Sequence, residues 1–397
     1  LWGGHCNKFE KEQFSNWPID YDDLHSYEDE AKKVLGLKFY HTDFYIKKFN
    51  KDFNQYNTRF SDKSRNFKDV YYDKIKNSNY IYLSLNTSFL HFEGEKDNIN
   101  SIYCRKKSNF YSLKAKYFVL AAGGIENSRL LLWFQKNNKS ISRKMPVGCF
   151  WMEHPFKVIG TGVGNFKKIK NFFYNNFDYF ENFRNWGNYT VSLSPTEKII
   201  QKEKILNSCA FLTIHDRDNQ SIKDTLKDLL CVAPKISTQM VKLFNKNLLC
   251  GITISSSWEQ EPEFKNRISL IDSKDRIGIP RVSLNYKISK KTLETSKEMV
   301  NLIGNIFIKQ DLGRIAHNDS YNLENFISDA GYHHIGGTKM GNDENTSVVN
   351  KNLKVHGLEN MFVCGSSVFP TGGHTNPTLS IIQLSLRLSG YLETQLS

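Results

Sequence analysis

Two adjacent histidines among glycines carry the densest chemistry in this sequence, at Gly331-Tyr-His-His-Ile-Gly-Gly-Thr-Lys-Met-Gly341. A second polar, glycine-flanked stretch follows at Gly372-Gly-His-Thr-Asn-Pro-Thr-Leu379. An imidazole titrates near neutral pH, so it can take or give a proton during a reaction. Glycine lets the backbone come close to a planar ligand, whereas a packed core would want apolar bulk at these positions. Asn376-Pro-Thr378 reads as a helix start, with Pro377 in the favoured first turn. A helix N-terminus stabilises negative charge placed before it. Together these residues read as the floor of a catalytic site.

The elements that position this floor are legible in part. Asn16 to Leu24 leads into a helix with Asp22 or Asp23 as its cap and Leu24 to Leu37 as its body. Tyr80–Leu85 alternates as a strand, Phe89–Glu93 is a second, and Ile102–Cys104 and Tyr111–Leu113 continue a small sheet. Lys114–Ala122 reads as a buried strand, Gly123-Gly124 as a turn and Ile125–Phe134 as a helix. A strand, glycine turn and helix can present backbone N–H groups to a phosphate or ribose, or can be an ordinary joint. Gly160-Thr-Gly-Val-Gly164 looks like a dinucleotide fingerprint, but the third glycine is misplaced and no acidic ribose residue follows. A bend between strands is expected there instead.

Beyond these, an amphipathic stretch from Ile222 to Phe244 suggests surface helices. Gly251–Trp258, Asn266–Ile271 and Arg281–Tyr286 read as strands of one antiparallel sheet. Ser289 should cap a helix from about Lys290 to Gln310, with Leu293, Met299, Val300 and Ile303 on its buried face. Met361–Cys364 is a strand ending at Gly365-Ser-Ser367.

Composition excludes several classes. The net charge is +13, yet the basic residues are scattered and form no run interleaved with aromatics, so nucleic-acid binding is not expected. Seven single cysteines without a CxxC pair argue against a disulfide framework or a zinc site, and no metal is expected. The longest apolar run, around Tyr117–Ala122, is too short for a transmembrane segment. Leu1-Trp-Gly-Gly4 reads as the middle of a loop, so an N-terminal segment with any targeting signal is expected ahead of it. A cytoplasmic location is a default expectation only.

Five separated stretches resemble the glucose–methanol–choline (GMC) family of FAD-dependent oxidoreductases, in its sugar- and polyol-dehydrogenase branch, which is also similar to pyranose oxidases. They are Trp2-Gly-Gly-His-Cys6 with Trp17–Leu24; Val119–Leu132; Met152-Glu-His-Pro155; Glu259–Pro262 through Asn266–Leu270; and Tyr332 to Leu392. The resemblance implies an α/β fold: a doubly wound FAD-binding domain, incomplete at its N-terminus, interleaved with a substrate domain of antiparallel sheet plus helices. The FAD domain would comprise 1–37, 78–165 and 331–397, and the substrate domain 38–77 and 166–330.

The same resemblance implies roles. His333, eight residues before Gly341, would be the catalytic base, with His334 the alternative. Asn376 would hydrogen-bond the substrate oxygen without titrating, while His374 lines the pocket or packs. FAD, non-covalently held, would lie against Gly365, Ser366, Asn376, Pro377 and Thr378. Trp2, Gly3 and Gly4 would approach the isoalloxazine, Gly123 and Gly124 the adenosine half, and Thr87 the adenine. The chain departs from the pattern at several points. No GxGxxG segment is present, Leu1 stands where some relatives link flavin through histidine, and Cys149 and Asn350 replace a common arginine and aspartate. The implied activity is FAD-dependent oxidation of a CH–OH group of a sugar, polyol or other alcohol, by a dehydrogenase rather than an oxidase. Its partners would be that small molecule and an electron acceptor that no motif identifies. A family fold without redox turnover (lyase-like or flavin-less) is the alternative, and a basic polysaccharide-binding surface a more distant one.

Overall fold

A computed structural model describes residues 5–6, 9–14, 16–37, 46–48, 50–56, 59–60, 67–138, 141–176, 181–183, 188–215, 251–318 and 331–397, with isolated positions between 222 and 239. The first helical stretch is broken in two, Tyr21–His25 and Glu28–Leu35. Its N-cap is Asp20 rather than Asp22 or Asp23, because the Asp23 carboxylate reaches back to accept the Asp20 N–H at 2.9 Å. Strands Thr87–Glu95, Asn98–Lys106 and Asn109–Leu113 form the expected small antiparallel sheet. Tyr80–Leu85 does not join it. This segment pairs with no described strand, and Tyr80 is 98% exposed. Alternation supplies the side-chain pattern of a strand and not the ladder that makes one. Strand β1 (Phe118–Leu120) follows, then helix α1 (Gly124–Asn137), whose Leu130, Leu131 and Phe134 are buried.

Among the described residues, a larger sheet of eight strands dominates the middle of the chain. It contains β2 (Phe156–Gly164), β3 (Asn188–Pro195), β4 (Ser208–His215) and β5 (Ile252–Trp258), all paired antiparallel through β5 to β2. Phe53–Tyr56 and Ile46–Lys48 extend one edge. The Gly160–Gly164 run is the second half of β2, so the bend expected there is not seen. A Cβ on Gly162 would meet Ile315 Cδ1 at 2.4 Å and one on Gly164 would meet Leu312 O at 2.2 Å. These glycines admit the neighbouring strand, not a phosphate.

Among the described residues, Arg267–Lys274 and Pro280–Asn285 pair only with each other, apart from β5. The single sheet expected for the three is therefore two. Asp275 explains the hairpin: it accepts from Ile277 N and Ile279 N, and its other oxygen holds Arg129 of α1. Helix α2 (Lys290–Lys309) is capped by the Ser289 hydroxyl, which accepts from Thr292 N. Met299, Val300, Ile303 and Phe307 are buried on the large sheet, while Leu293 is only half-buried. Trp258 is fully buried beneath this helix and its indole N–H donates to Thr292 O, so the polar tip is satisfied. Strand β6 (Gly313–His317) closes the sheet against β2.

Strand β7 (Met361–Val363) pairs parallel with β1, and helix α3 (Thr378–Leu396) ends the chain. A core around Leu131, Phe362, Phe369 and Leu384 joins α1, β7 and α3, and a second around Phe53, Ile254, Trp258 and Phe307 lies under the large sheet. The stretch from Ile222 to Phe244 lies largely outside the described residues. Among the described residues, no helix is long and apolar enough to cross a membrane.

One buried amide ties the parallel pair to α1. Asn127 Oδ1 accepts from Ala122 N at 2.7 Å, and its Nδ2 donates to Cys364 O at 3.0 Å and Ser367 Oγ at 2.9 Å. Asn127→Ala removes three bonds and leaves buried groups unpaired, an expected loss of about 2–4 kcal/mol. Urea unfolding measures it; an unchanged midpoint would mean that water replaces the amide.

Candidate active site

The double-histidine loop runs between two backbones. On one side Met152 N donates to Ile335 O at 2.8 Å and Ile335 N to Met152 O at 3.0 Å. On the other, Gly336 N, Thr338 N and Met340 N donate to the carbonyls of Ser366, Ser367 and Val368 at 3.1, 3.0 and 2.8 Å. Gly124 at the start of α1 also abuts this loop. A Cβ there would lie 2.3 Å from His334 O, so only glycine fits. Ser366 Oγ donates to the same carbonyl at 2.6 Å.

His333 is half-buried, and its Nδ1 lies 3.0 Å from Nδ1 of His154. The two rings meet edge-on, with centroids 5.0 Å apart. His154 is buried, and its Nε2 lies 2.9 Å from Gly372 O. Burial lowers its pKa to about 4, so the ring is neutral at pH 7. The neighbouring Glu153 is also buried. Its Oε1 accepts from both His154 N and His333 N, which fixes the loop at the residue that carries the imidazole. Glu153 Oε2 lies 3.3 Å from Nδ1 of His334, out of line for a hydrogen bond. The His334 ring instead leans on Trp151, with centroids 5.7 Å apart.

The second loop, 371–378, is held from below. Trp17 Nε1 donates to Thr371 Oγ1 at 2.7 Å, which donates on to Gln13 O at 2.9 Å. Gln13 Nε2 lies 3.0 Å from His374 Nδ1, and Ser257 Oγ donates to His374 O at 3.0 Å. Glu259 Oε1 accepts from Gly373 N at 3.1 Å, its other oxygen being bound by Asn207 Nδ2 at 2.8 Å. Burial raises the Glu259 pKa. His374 is enclosed, and burial, then the nearby His154, lowers its pKa to about 3. Asn376 is half-buried on this loop, Pro377 is the residue before the first turn of α3 rather than within it, and Thr378 begins the helix.

Gly123 and Gly365 follow the two parallel strands, with φ of 97° and 126°. Non-glycine residues rarely take these values. A Cβ on Gly123 would meet nothing within 4 Å, and one on Gly365 would meet only Asn127 Nδ2 at 3.6 Å. The Gly123 turn therefore faces open space and the Gly365 turn lies against Asn127, both at the carboxyl ends of adjacent parallel strands, the usual ligand crevice of such sheets.

Gly124 and Ser366 thus meet the loop of His333 and His334, Gly123 and Gly365 stand one residue before them, and the loop of Asn376, Pro377 and Thr378 reaches it through His154 and Gly372. Thr87 belongs to the separate three-stranded sheet, where its hydroxyl bonds Ser84 Oγ at 2.7 Å and Tyr111 at 3.3 Å. Trp2, Gly3 and Gly4 lie outside the described residues. Sequence reasoning gave no role to Glu153, His154, Glu259 or Gln13. The one available signal was the Met152-Glu-His-Pro155 stretch, where an acid and an imidazole stand together beside a rigid proline.

Residues 262–385 match the family model described as GMC oxidoreductase. The fructose dehydrogenase large subunit of Gluconobacter japonicus is 25% identical over 283 residues, 69% of this chain and 46% of that protein. The 2-methyl-1,2-propanediol dehydrogenase of Mycolicibacterium austroafricanum is 28% identical over 157 residues, 39% of this chain and 28% of that protein. The matched regions thus span less than half the length of either relative. Among solved structures, pyridoxine 4-oxidase from Mesorbium loti superposes with a TM-score of 0.56 at 11% identity, covering 94% of this chain and 70% of that one. The fold class expected from the sequence is that of these oxidoreductases, mixed helix and sheet with antiparallel sheets present.

Proposed function

We propose that this GMC oxidoreductase chain works in the FAD-dependent oxidation of a CH–OH group of a sugar, polyol or other alcohol, with His333 taking the hydroxyl proton. Supporting it are four features: a half-buried imidazole, a second loop opening α3, and two positive-φ glycine turns at the carboxyl ends of the parallel strands, whose next residues Gly124 and Ser366 touch His334 O. The residues fit the flavin end of FAD. Gly365 and Ser366 would pass beneath the ring with Asn376, Pro377 and Thr378 at its pyrimidine side, where the α3 N-terminus favours negative charge. Gly123 and Gly124 would lie toward the rest of the cofactor, held without a covalent link. When bound, FAD supplies the hydride acceptor.

The chain's own residues do the remainder. His333 receives the proton of the substrate hydroxyl, which concentrates charge on the oxygen as the C–H bond weakens. Asn376 orients that oxygen through its amide and cannot itself act as a base. Glu153 and His154 fix the His333 backbone and ring. The substrate domain is assigned to 38–77 and 166–330, and a dehydrogenase is favoured over an oxidase.

A panel of polyols and sugars, added anaerobically to the flavin-loaded protein, tests the activity. Bleaching of the flavin absorbance by at least one member is expected. A yellow protein that no alcohol bleaches would overturn it in favour of a redox-silent family fold.

A further inference from the structure

We infer that His154 is a positioning residue that sets the tautomer of His333, holding the proton on Nδ1 and leaving the lone pair on Nε2. The inference rests on His333 being the base, as proposed above.

The direction of the chain follows from its one unambiguous end. Gly372 O can only accept, so the His154 Nε2 at 2.9 Å must carry a hydrogen. A neutral imidazole has one N–H, and complete burial keeps this ring neutral. His154 Nδ1 is then an acceptor. His333 Nδ1, 3.0 Å away, must be the donor. In neutral His333 the lone pair therefore resides on Nε2, the nitrogen at the far side of the ring from His154. A base in the other tautomer would turn an N–H toward the substrate and could not take its proton.

The bond serves in both protonation states. On gaining a proton at Nε2, His333 keeps its Nδ1–H donated to a neutral acceptor, so no hydrogen bond has to be remade during the step. The ionisable groups around His154 are Glu153 beside it in sequence, His333 and His334 on the opposing loop, His374, and Glu259 through Gly373 N. Glu153 Oε1 holds the His333 backbone N–H, whereas the ring nitrogen Nδ1 of His333 meets His154.

Amide substitutions separate the two ends of His154. Asn places an oxygen near the Nδ1 position and can accept from His333, whereas Gln places its amide near Nε2 and can only reach Gly372 O. Leu offers neither. For His154→Leu and His154→Gln, kcat is expected to fall about 10- to 100-fold, the cost of one lost buried hydrogen bond, with KM within about threefold. His154→Asn should recover most of the rate. Equal rates in the Asn and Gln variants would overturn the inference, because loop bracing alone would then explain the residue.

The tautomer is also read directly, without turnover, from 15N spectra of histidine-labelled protein with the His333 signals assigned by their loss in His333→Ala. A protonated Nδ1 and bare Nε2 are expected at pH 8, and the reverse pattern overturns the inference. Should His333→Ala turn over at the wild-type rate, the base assignment fails, whatever the spectra show about the tautomer.

Discussion

His333→Ala is expected to lower turnover of the flavin-loaded protein about 10²- to 10⁴-fold, the range a positioned general base supplies, while flavin content stays at the wild-type level. The two readouts separate because the residue touches its surroundings in two ways. Its backbone N–H is held by Glu153 and its neighbours Ile335 and Gly336 are held by Met152 and Ser366, and all of these bonds survive truncation to Ala. Only the ring, with its bond to His154, disappears. The proposed flavin contacts lie on Gly365, Ser366, Asn376, Pro377 and Thr378, where Ser366 Oγ is held by His334 O and Gly336 N by Ser366 O. His334→Ala should cost far less, because that ring leans on Trp151 and lies out of line with Glu153. Stopped-flow bleaching with saturating substrate and the protein-bound flavin ratio measure both quantities. Parallel loss of rate and flavin, or a larger effect at His334, would remove His333 from the role.

The parts of this site that could be read in the sequence are those whose cause is local. Ser289 caps its helix because its hydroxyl reaches Thr292 N, three residues on. Gly123 precedes α1 because a positive φ is needed at a strand-to-helix turn. Pairing is not local, and there the reading went astray. Tyr80–Leu85 and Phe89–Glu93 alternate alike, yet only the second finds a ladder. Ile252–Trp258 and Arg267–Lys274 are both strands, but Asp275 and Arg129 commit the latter to α1 instead of the large sheet. His154 escaped notice for the same reason. Its partner His333 is 179 residues away, and no spacing rule connects them. Glu259 and Gly373, 114 residues apart, make the same point. What a lone histidine does depends on the carbonyl that faces it.

Buried neutral histidines also predict how the protein responds to acid. Burial lowers the pKa of His154 to about 4, and burial together with His154 lowers that of His374 to about 3. Both normally titrate near 6.5. A depressed folded pKa means that the unfolded chain binds the protons first, so the stabilisation is complete above about 6.5 and is lost as pH falls toward the folded values. Each histidine contributes a slope of up to about 1.4 kcal/mol per pH unit in that window, and the two together remove several kcal/mol of the roughly 5–15 available to a domain. Glu259 acts in the opposite sense: its raised pKa favours the fold as pH falls through it, which offsets part of the loss. Asp311 and Asp343, lowered by Lys168 and by hydrogen bonds from Asn345, matter only below about 4. Urea midpoints should therefore drop steeply between pH 7 and pH 5, before any surface carboxylate is protonated. His374→Gln lowers stability at pH 7.5 through its lost packing yet halves the slope, so the two curves converge on acidification. A wild-type midpoint that stays flat from pH 7 to pH 5 would show that these rings are hydrated, and with them the floor on which His333 stands.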